Sequence, residues 1–220
     1  RAGKNTRATH ERAINSFLIF FTSPMSSFSN KEKKMLLFCG PSGSGKTTVV
    51  HHLMMKDERL RFSISATTRK KRDNEIDKKD YHFISVDDFR KKISTNEFIE
   101  WEEVYENGFY GTLRSEVDRI IVEGKVPVFD LDVEGGVNIK KQFGKQVLAV
   151  FVCPPDIETL KTRLTARATE TAEDLKRRLE KAVSELTFAD KFDKVLVNVT
   201  KDDACAQAEK WVSEFLNSKL

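Results

Sequence analysis

The chain has 220 residues, 39% apolar and 33% charged, enough for one to two domains with a sizeable core and outside the disordered class. No apolar run approaches the roughly 20 residues of a membrane-spanning helix, so no membrane partner is expected. Basic residues outnumber acidic ones by 38 to 34, but most of the surplus lies in residues 1–30, where Arg1, Lys4, Arg7 and Arg12 oppose only Glu11. The body is nearly neutral, which argues against a polymeric nucleic acid as ligand.

Residues 1–24 are basic and Ser/Thr-containing without clear periodicity, a composition that suits a transit peptide or a leader ahead of Met25. Residues 1–32 are therefore expected to be a disordered leader, transit peptide or expression remnant. From Lys33 onward strands and helices alternate. Met35 to Cys39 reads as a buried strand and Lys46 to about Met55 as a helix. Arg61–Ile64 and Tyr81–Ile84 read as short strands around a charged loop. Ser85 with Asp88 has the form of a capping box opening a helix through about Ile93. Leu113, Val117, Ile120 and Ile121 follow helical spacing, stopped by Gly124.

Val126 to Asp132 and Gln146 to Cys153 have the continuous apolar character of buried strands. A helix carrying Leu160 and Leu164 follows Pro154-Pro155, and Leu175, Leu179, Val183 and Leu186 form a further apolar stripe. Lys194 to Asn198 reads as a strand, and Thr200 with Asp203 caps a last helix bearing Ala204, Ala208, Trp211, Val212 and Phe215. This alternation predicts an α/β fold, a parallel sheet flanked by helices on both faces.

Gly40-Pro41-Ser42-Gly43-Ser44-Gly45-Lys46-Thr47 fits G-x-x-x-x-G-K-[ST] in full, between a strand and a helix. Glycines let successive N–H groups converge on phosphate oxygens, and the helix N-terminus adds positive potential. Lys46 is expected at the β- and γ-phosphates, with the Thr47 hydroxyl in the shell of Mg²⁺. At ordinary residue frequencies the motif arises by chance in roughly one such chain in a hundred. It announces a nucleoside triphosphate without naming the acceptor.

Other residues bear on the acceptor. Arg69 and Arg72, three apart after Ser65-Ala66-Thr67-Thr68, present forks suited to a second phosphate together with Tyr81; the stretch reads equally as a solvated basic loop. Asp130 and Asp132, two apart at the carboxyl end of a strand, share a face where α/β sheets bind ligands. Carboxylates are costly to bury without donors, and guanine offers two kinds of N–H; Glu100, beside Trp101, is a weaker case on its own. Arg163 and Arg167 are one helical turn apart and Arg178 lies on the next helix. They suit a lid that neutralises phosphoryl charge, or simply an exposed basic face.

Taken together, GPSGSGKT at 40–47, FSISATTR at 62–69, KDYHFISVDDF at 79–89, NEFIEW at 96–101, FYGT at 109–112, VFDLDVEG at 128–135 and RLTARATET at 163–171 resemble the guanylate kinase family. The resemblance spans about Lys33 to Phe215. It implies a P-loop NTPase core (33–64, 113–155 and 191–220), a small GMP-binding α+β subdomain (65–112) and a helical lid (156–190). It implies Mg²⁺-dependent transfer of the γ-phosphoryl group of ATP to GMP, and to dGMP. Gly40 to Thr47, Thr48 and Asn198, the last near the adenine, would bind ATP. Arg69, Arg72, Tyr81 and Tyr110 would hold the GMP phosphate, while Ser65, Glu100, Thr112 and Asp132 would read guanine. Lys46, Arg72, Arg163, Arg167 and Arg178 would stabilise the transition state, with Thr47 and, through water, Asp130 at Mg²⁺. The acceptor is already a phosphate oxygen, so no general base is required.

Lys71, Asn74, Lys78, Glu134 and Ala168 depart from the family's usual residues. Asn74, tolerant of positive φ, is expected to keep the turn that a glycine makes in the family. Two other readings fit parts of the pattern: a catalytically silent scaffold domain, opposed by the intact Gly45-Lys46-Thr47, and a kinase for another phosphorylated acceptor, opposed by Glu100 and Asp132. Three scattered cysteines (Cys39, Cys153, Cys205) and four histidines show no metal or disulfide spacing, the pattern of a reduced, cytoplasmic protein. The expected partners are ATP and GMP, in a monomer or weak homodimer.

Overall fold

The computed structural model describes residues 33–165 and 172–219. The expected leader and the positions Arg167 and Ala168 lie outside the described residues. Two sheets organise the chain. The larger comprises β1 (Met35–Cys39), β2 (Leu60–Phe62), β7 (Val126–Asp130), β8 (Val147–Cys153) and β9 (Lys194–Val197), ordered β2-β7-β1-β8-β9. All its pairings are parallel.

β1 and β8 are buried along their whole length, as a sheet covered on both faces requires. On one face Leu36, Phe38, Val150 and Val152 meet α1 (Lys46–Lys56) and α7 (Lys201–Asn217) through Val49, Val50, Leu53, Ala204, Ala208 and Val212. On the other lies α4 (Val133–Phe143), so close that a Cβ at Gly136 would stand 2.1 Å from Cys39 Sγ. Cavity costs make such a core sensitive to single methylenes.

The smaller sheet is ordered β4-β3-β6-β5, from β3 (Ala66–Thr67), β4 (His82–Phe83), β5 (Phe98–Tyr105) and β6 (Gly108–Leu113). Its β5–β6 hairpin is antiparallel. α2 (Val86–Ser94) packs on it through Phe89, whose ring stacks on Phe98 at 4.2 Å and Phe109 at 5.2 Å. Ser85 caps α2 as expected, accepting from the Asp88 N–H at 3.0 Å. α3 (Arg114–Val122) continues from β6, and α5 (Ile157–Thr165) packs against α6 (Ala172–Leu186) through Leu160, Leu164, Leu175, Leu179 and Ala182.

Some local expectations change. The strand from Val126 ends at Asp130; Asp132 is the N-cap of α4, its carboxylate accepting from the Gly135 N–H at 2.9 Å. Helix capping therefore sets its direction, not strand alternation. Val183 is 40% exposed and Ala182 takes the buried position on α6. Asn74 does not adopt positive φ; the turn closes with the Glu75 N–H donating to the Arg72 carbonyl. Lys78 does, at φ 62, with its N–H donating to the Tyr81 carbonyl at 2.8 Å. Left-handed backbone costs a side chain about 1–2 kcal/mol, against about 0.5–1 kcal/mol for the extra chain entropy of glycine. Lys78→Gly is thus expected to raise the melting temperature by about 2 °C. An unchanged or lower value in a thermal melt would mean that this turn carries no strain.

Candidate active site

The carboxyl ends of β1, β7, β8 and β9 converge on the segment between β1 and α1. Gly40 stands at φ 137, and a Cβ there would lie 2.0 Å from the Val152 carbonyl oxygen. Gly45, at φ 95, is equally constrained, with Asn198 Nδ2 2.1 Å from its would-be Cβ. Both conformations and both close approaches require glycine. Asn198, 7% exposed at the end of β9, donates through Nδ2 to the Ser44 carbonyl at 2.7 Å. Its backbone carbonyl accepts from Arg163 Nη2 at 3.0 Å. That carboxamide nitrogen is committed to holding the loop.

Cations surround this loop. Lys46 Nζ folds back to donate to the Gly40 carbonyl at 2.6 Å. Arg178 Nη2 on α6 reaches Ser42 Oγ at 2.7 Å, bringing α6 to the loop. Of five buried side-chain polar atoms without a hydrogen-bond partner among the described residues, two, Ser44 Oγ and Arg163 Nη1, belong to this loop and to the arginine beside it. Buried groups without partners are rare in folded chains. Gly40, Ser42, Gly43, Gly45, Lys46, Thr47 and Thr48 line a cavity of about 580 Å³ with Tyr110, Asp130, Asp132, Arg178, Lys181 and Glu185. Thr47 Oγ1 donates to Asp130 Oδ2 at 2.8 Å on its floor.

A second cavity of about 250 Å³ shares Val104, Tyr110, Asp130, Leu131 and Asp132 with the first, and adds Ser65, Tyr81, Glu100, Glu102 and Gly111. Glu100 is 8% exposed and accepts from Thr112 Oγ1 at 2.6 Å. Burial, only partly offset by Thr112 and reinforced by the charge of Asp132, pushes its carboxyl up to about 7. Glu102 shares the face of Glu100 and is raised too, first by the Asp132 carboxyl beside it and then by burial. Arg69, beside this cavity, sits over the Tyr81 ring at 5.0 Å and is bound by Glu75. Arg72 is exposed and lines neither cavity.

The two cavities thus separate a cation-rich, glycine-shaped anion cradle from a carboxylate-lined pocket that calls for N–H donors. The family model described as guanylate kinase matches residues 32–215. The chain belongs to the guanylate kinase family. Relatives named guanylate kinase include those of Bacteroides fragilis, 48% identical over 84% of this chain and 91% of the relative, and of Porphyromonas gingivalis, 44% identical over 83% and 98%. A crystal structure of guanylate kinase from Anaplasma phagocytophilum superposes with a TM-score of 0.69 at 24% identity, covering 85% of this chain and 88% of that one. The family's fold, a P-loop NTPase-like core with a parallel sheet between helices, is the fold of this chain.

Of the residues singled out in the sequence, Gly40 to Thr48, Asn198, Arg163, Arg178 and Asp130 gather at the first cavity or against its loop. Ser65, Tyr81, Glu100, Tyr110 and Asp132 line the second, with Thr112 hydrogen-bonded to Glu100. Glu75, Glu102, Lys181 and Glu185 were not anticipated. Glu102 had a signal, since it stands two residues beyond Glu100 on one strand.

The raised Glu100 sets a sign for stability. Its folded pKa, about 7, exceeds the ordinary glutamate value of 4.5, so its contribution is whole below about pH 4.5 and lost as pH rises through 7. Glu100→Gln is expected to melt at least about 3 °C above the parent at pH 8 and to show no such gain at pH 5. Equal melting temperatures at pH 8 would mean that the buried carboxylate carries no such cost.

Proposed function

We propose that this chain transfers the γ-phosphoryl group of ATP to GMP, and also to dGMP, giving ADP and the nucleoside diphosphate. The observation that carries this reading is the pair of adjoining cavities, one built on the phosphate loop and the other lined by Glu100 and Asp132.

In this reading the N–H groups of Gly43 to Thr48 and the Lys46 ammonium hold the triphosphate. Lys46 exchanges the Gly40 carbonyl for phosphate oxygens when ATP enters. Arg163 and Arg178 stabilise the charge that spreads over the equatorial oxygens, and Arg167, outside the described residues, would join them. Arg69, Tyr81 and Tyr110 hold the acceptor phosphate, and Arg72 swings in from solvent. Glu100 and Asp132 accept from the guanine N–H donors, with Ser65 and Thr112 completing the polar edge. GMP binding then favours the ionised Glu100, so substrate compensates for the desolvation that raises it. Asn198 supports the loop at Ser44 and Gly45.

The residues present also fit Mg²⁺. The Thr47 hydroxyl and the Asp130 carboxylate are hard oxygen donors side by side. No group of three His, Cys, Asp or Glu side chains suited to a metal occurs among the described residues. That suits an ion which takes few protein ligands and completes its shell with water and phosphate oxygens. Held by Thr47 and Asp130, such an ion would supply positive charge to the triphosphate. The segment 156–190 acts as a lid over the core, and 65–112 as the acceptor subdomain; closure of both excludes water from the phosphoryl group.

Lys46→Ala is expected to lower kcat by about 10²–10³ while the protein keeps its melting temperature, because the interaction strengthens as charge develops. Near-normal turnover would remove the phosphate loop from the mechanism. Glu100→Gln is expected to raise KM for GMP by at least about tenfold and to leave KM for ATP within about twofold, since one guanine donor loses its acceptor. Equal changes for both nucleotides would assign Glu100 a purely structural role.

A further inference from the structure

Arg69 is held in an unusual way for a residue awaiting a phosphate. Its Nη1 donates to Glu75 Oε2 at 2.7 Å, its Nη2 to Glu75 Oε1, and the second Nη1 hydrogen is taken by the Lys70 carbonyl at 3.0 Å. Glu75 Oε2 also accepts the Arg72 backbone N–H at 2.8 Å. The two side chains are only 14% and 12% exposed. The guanidinium lies over the rings of Tyr81, at 5.0 Å, and Phe83, at 5.6 Å. The pairing lowers the Glu75 carboxyl to about 2, so this clamp stays charged at any working pH.

A guanidinium has five N–H donors in a fixed plane. The carboxylate takes the end formed by the two Nη atoms, and Lys70 takes the outer hydrogen of Nη1. What remains is the edge formed by Nε–H and one Nη2–H, itself a two-pronged fork. Tyr81 and Tyr110 both interact with this guanidinium. Glu75 is therefore no stand-in for a phosphate that must leave before substrate enters: it takes only the end formed by the two Nη atoms. Its partners lie within six residues in the same loop, so nothing needs to open for it to stay.

We infer that Glu75 is a positioning residue for the acceptor phosphate, fixing the plane of Arg69 so that its Nε edge is presented to phosphate oxygens, and tying the Arg72 backbone to the same anchor. This rests on the reading of Arg69 as a ligand of the GMP phosphate. An unclamped arginine loses rotamer freedom on binding, and the clamp removes that loss in advance. The clamp also ties the Arg72 backbone N–H to the same carboxylate, so both arginines share one anchor.

The test uses the full chain with Glu75→Gln, which puts an N–H group where an acceptor oxygen stood, and with Arg69→Ala beside it. Steady-state kinetics with Mg-ATP are combined with equilibrium binding of GMP and of guanosine, which lacks the phosphate. Expected for Glu75→Gln is a rise of about tenfold or more in KM for GMP, with kcat within about threefold and KM for ATP within about twofold. Guanosine binding should be unchanged. Glu75→Asp, which keeps the charge but withdraws it by one methylene, should give a smaller rise of the same kind; it serves if the glutamine variant folds poorly. If Arg69→Ala weakens GMP while Glu75→Gln leaves its KM within about twofold, or lowers it, Glu75 is not a positioning residue. A fall in kcat with both KM values unchanged would also overturn the inference. If Arg69→Ala itself leaves GMP binding intact, the phosphate role of Arg69 fails, and the inference with it.

Discussion

The phosphate loop leaves β1 so close to β8 that a Cβ at Gly40 would stand 2.0 Å from the Val152 carbonyl oxygen. The rest of the site depends on this approach. It is possible because β1 lies between β7 and β8 in a parallel sheet, with every carboxyl end on one side. The same arrangement delivers Asp130 to Thr47 and Asn198 to Ser44 without any long loop. Buried strands on both faces make the platform rigid, and the ligand-binding groups ride on its rim.

Charge is arranged in two opposing territories across the shared residues Tyr110, Asp130 and Asp132. Lys46, Arg163 and Arg178 gather at the loop, and Glu100, Glu102 and Asp132 gather in the smaller pocket. Each territory is costly alone: Glu100 is raised by burial, and Arg163 Nη1 lacks a partner among the described residues. Two ligands side by side, a triphosphate at the loop and a base with N–H donors in the pocket, would satisfy both. Perturbed carboxylates next to an anion cradle are where stability is given up for function.

Much of this was legible in the residues. The phosphate loop is a dense local signal, and the strands β1, β7 and β8 announce themselves as apolar runs. Ser85 and Thr200 mark helix starts because capping is a local interaction. The misreadings have physical causes. Asp132 looked like a strand residue by alternation, but two residues after Asp130 it caps α4, an interaction that only the turn reveals. Val183 fits an apolar stripe, yet α6 is too exposed on that side to bury it. Glu75 escaped notice because its partner lies in an irregular loop with no periodicity to read. The positive φ falls on Lys78, whereas Asn74, the residue better suited to it, turns with ordinary φ.

The most direct test of the two-pocket reading is ADP formation from ATP, with GMP, dGMP, AMP, UMP and CMP offered one at a time. Turnover with GMP and dGMP well above the other acceptors, abolished by EDTA and restored by excess Mg²⁺, is the expected result. Turnover no faster with GMP than with AMP would contradict the assignment of Glu100 and Asp132 to guanine. No turnover with any acceptor, despite measurable GMP binding, would contradict phosphoryl transfer itself.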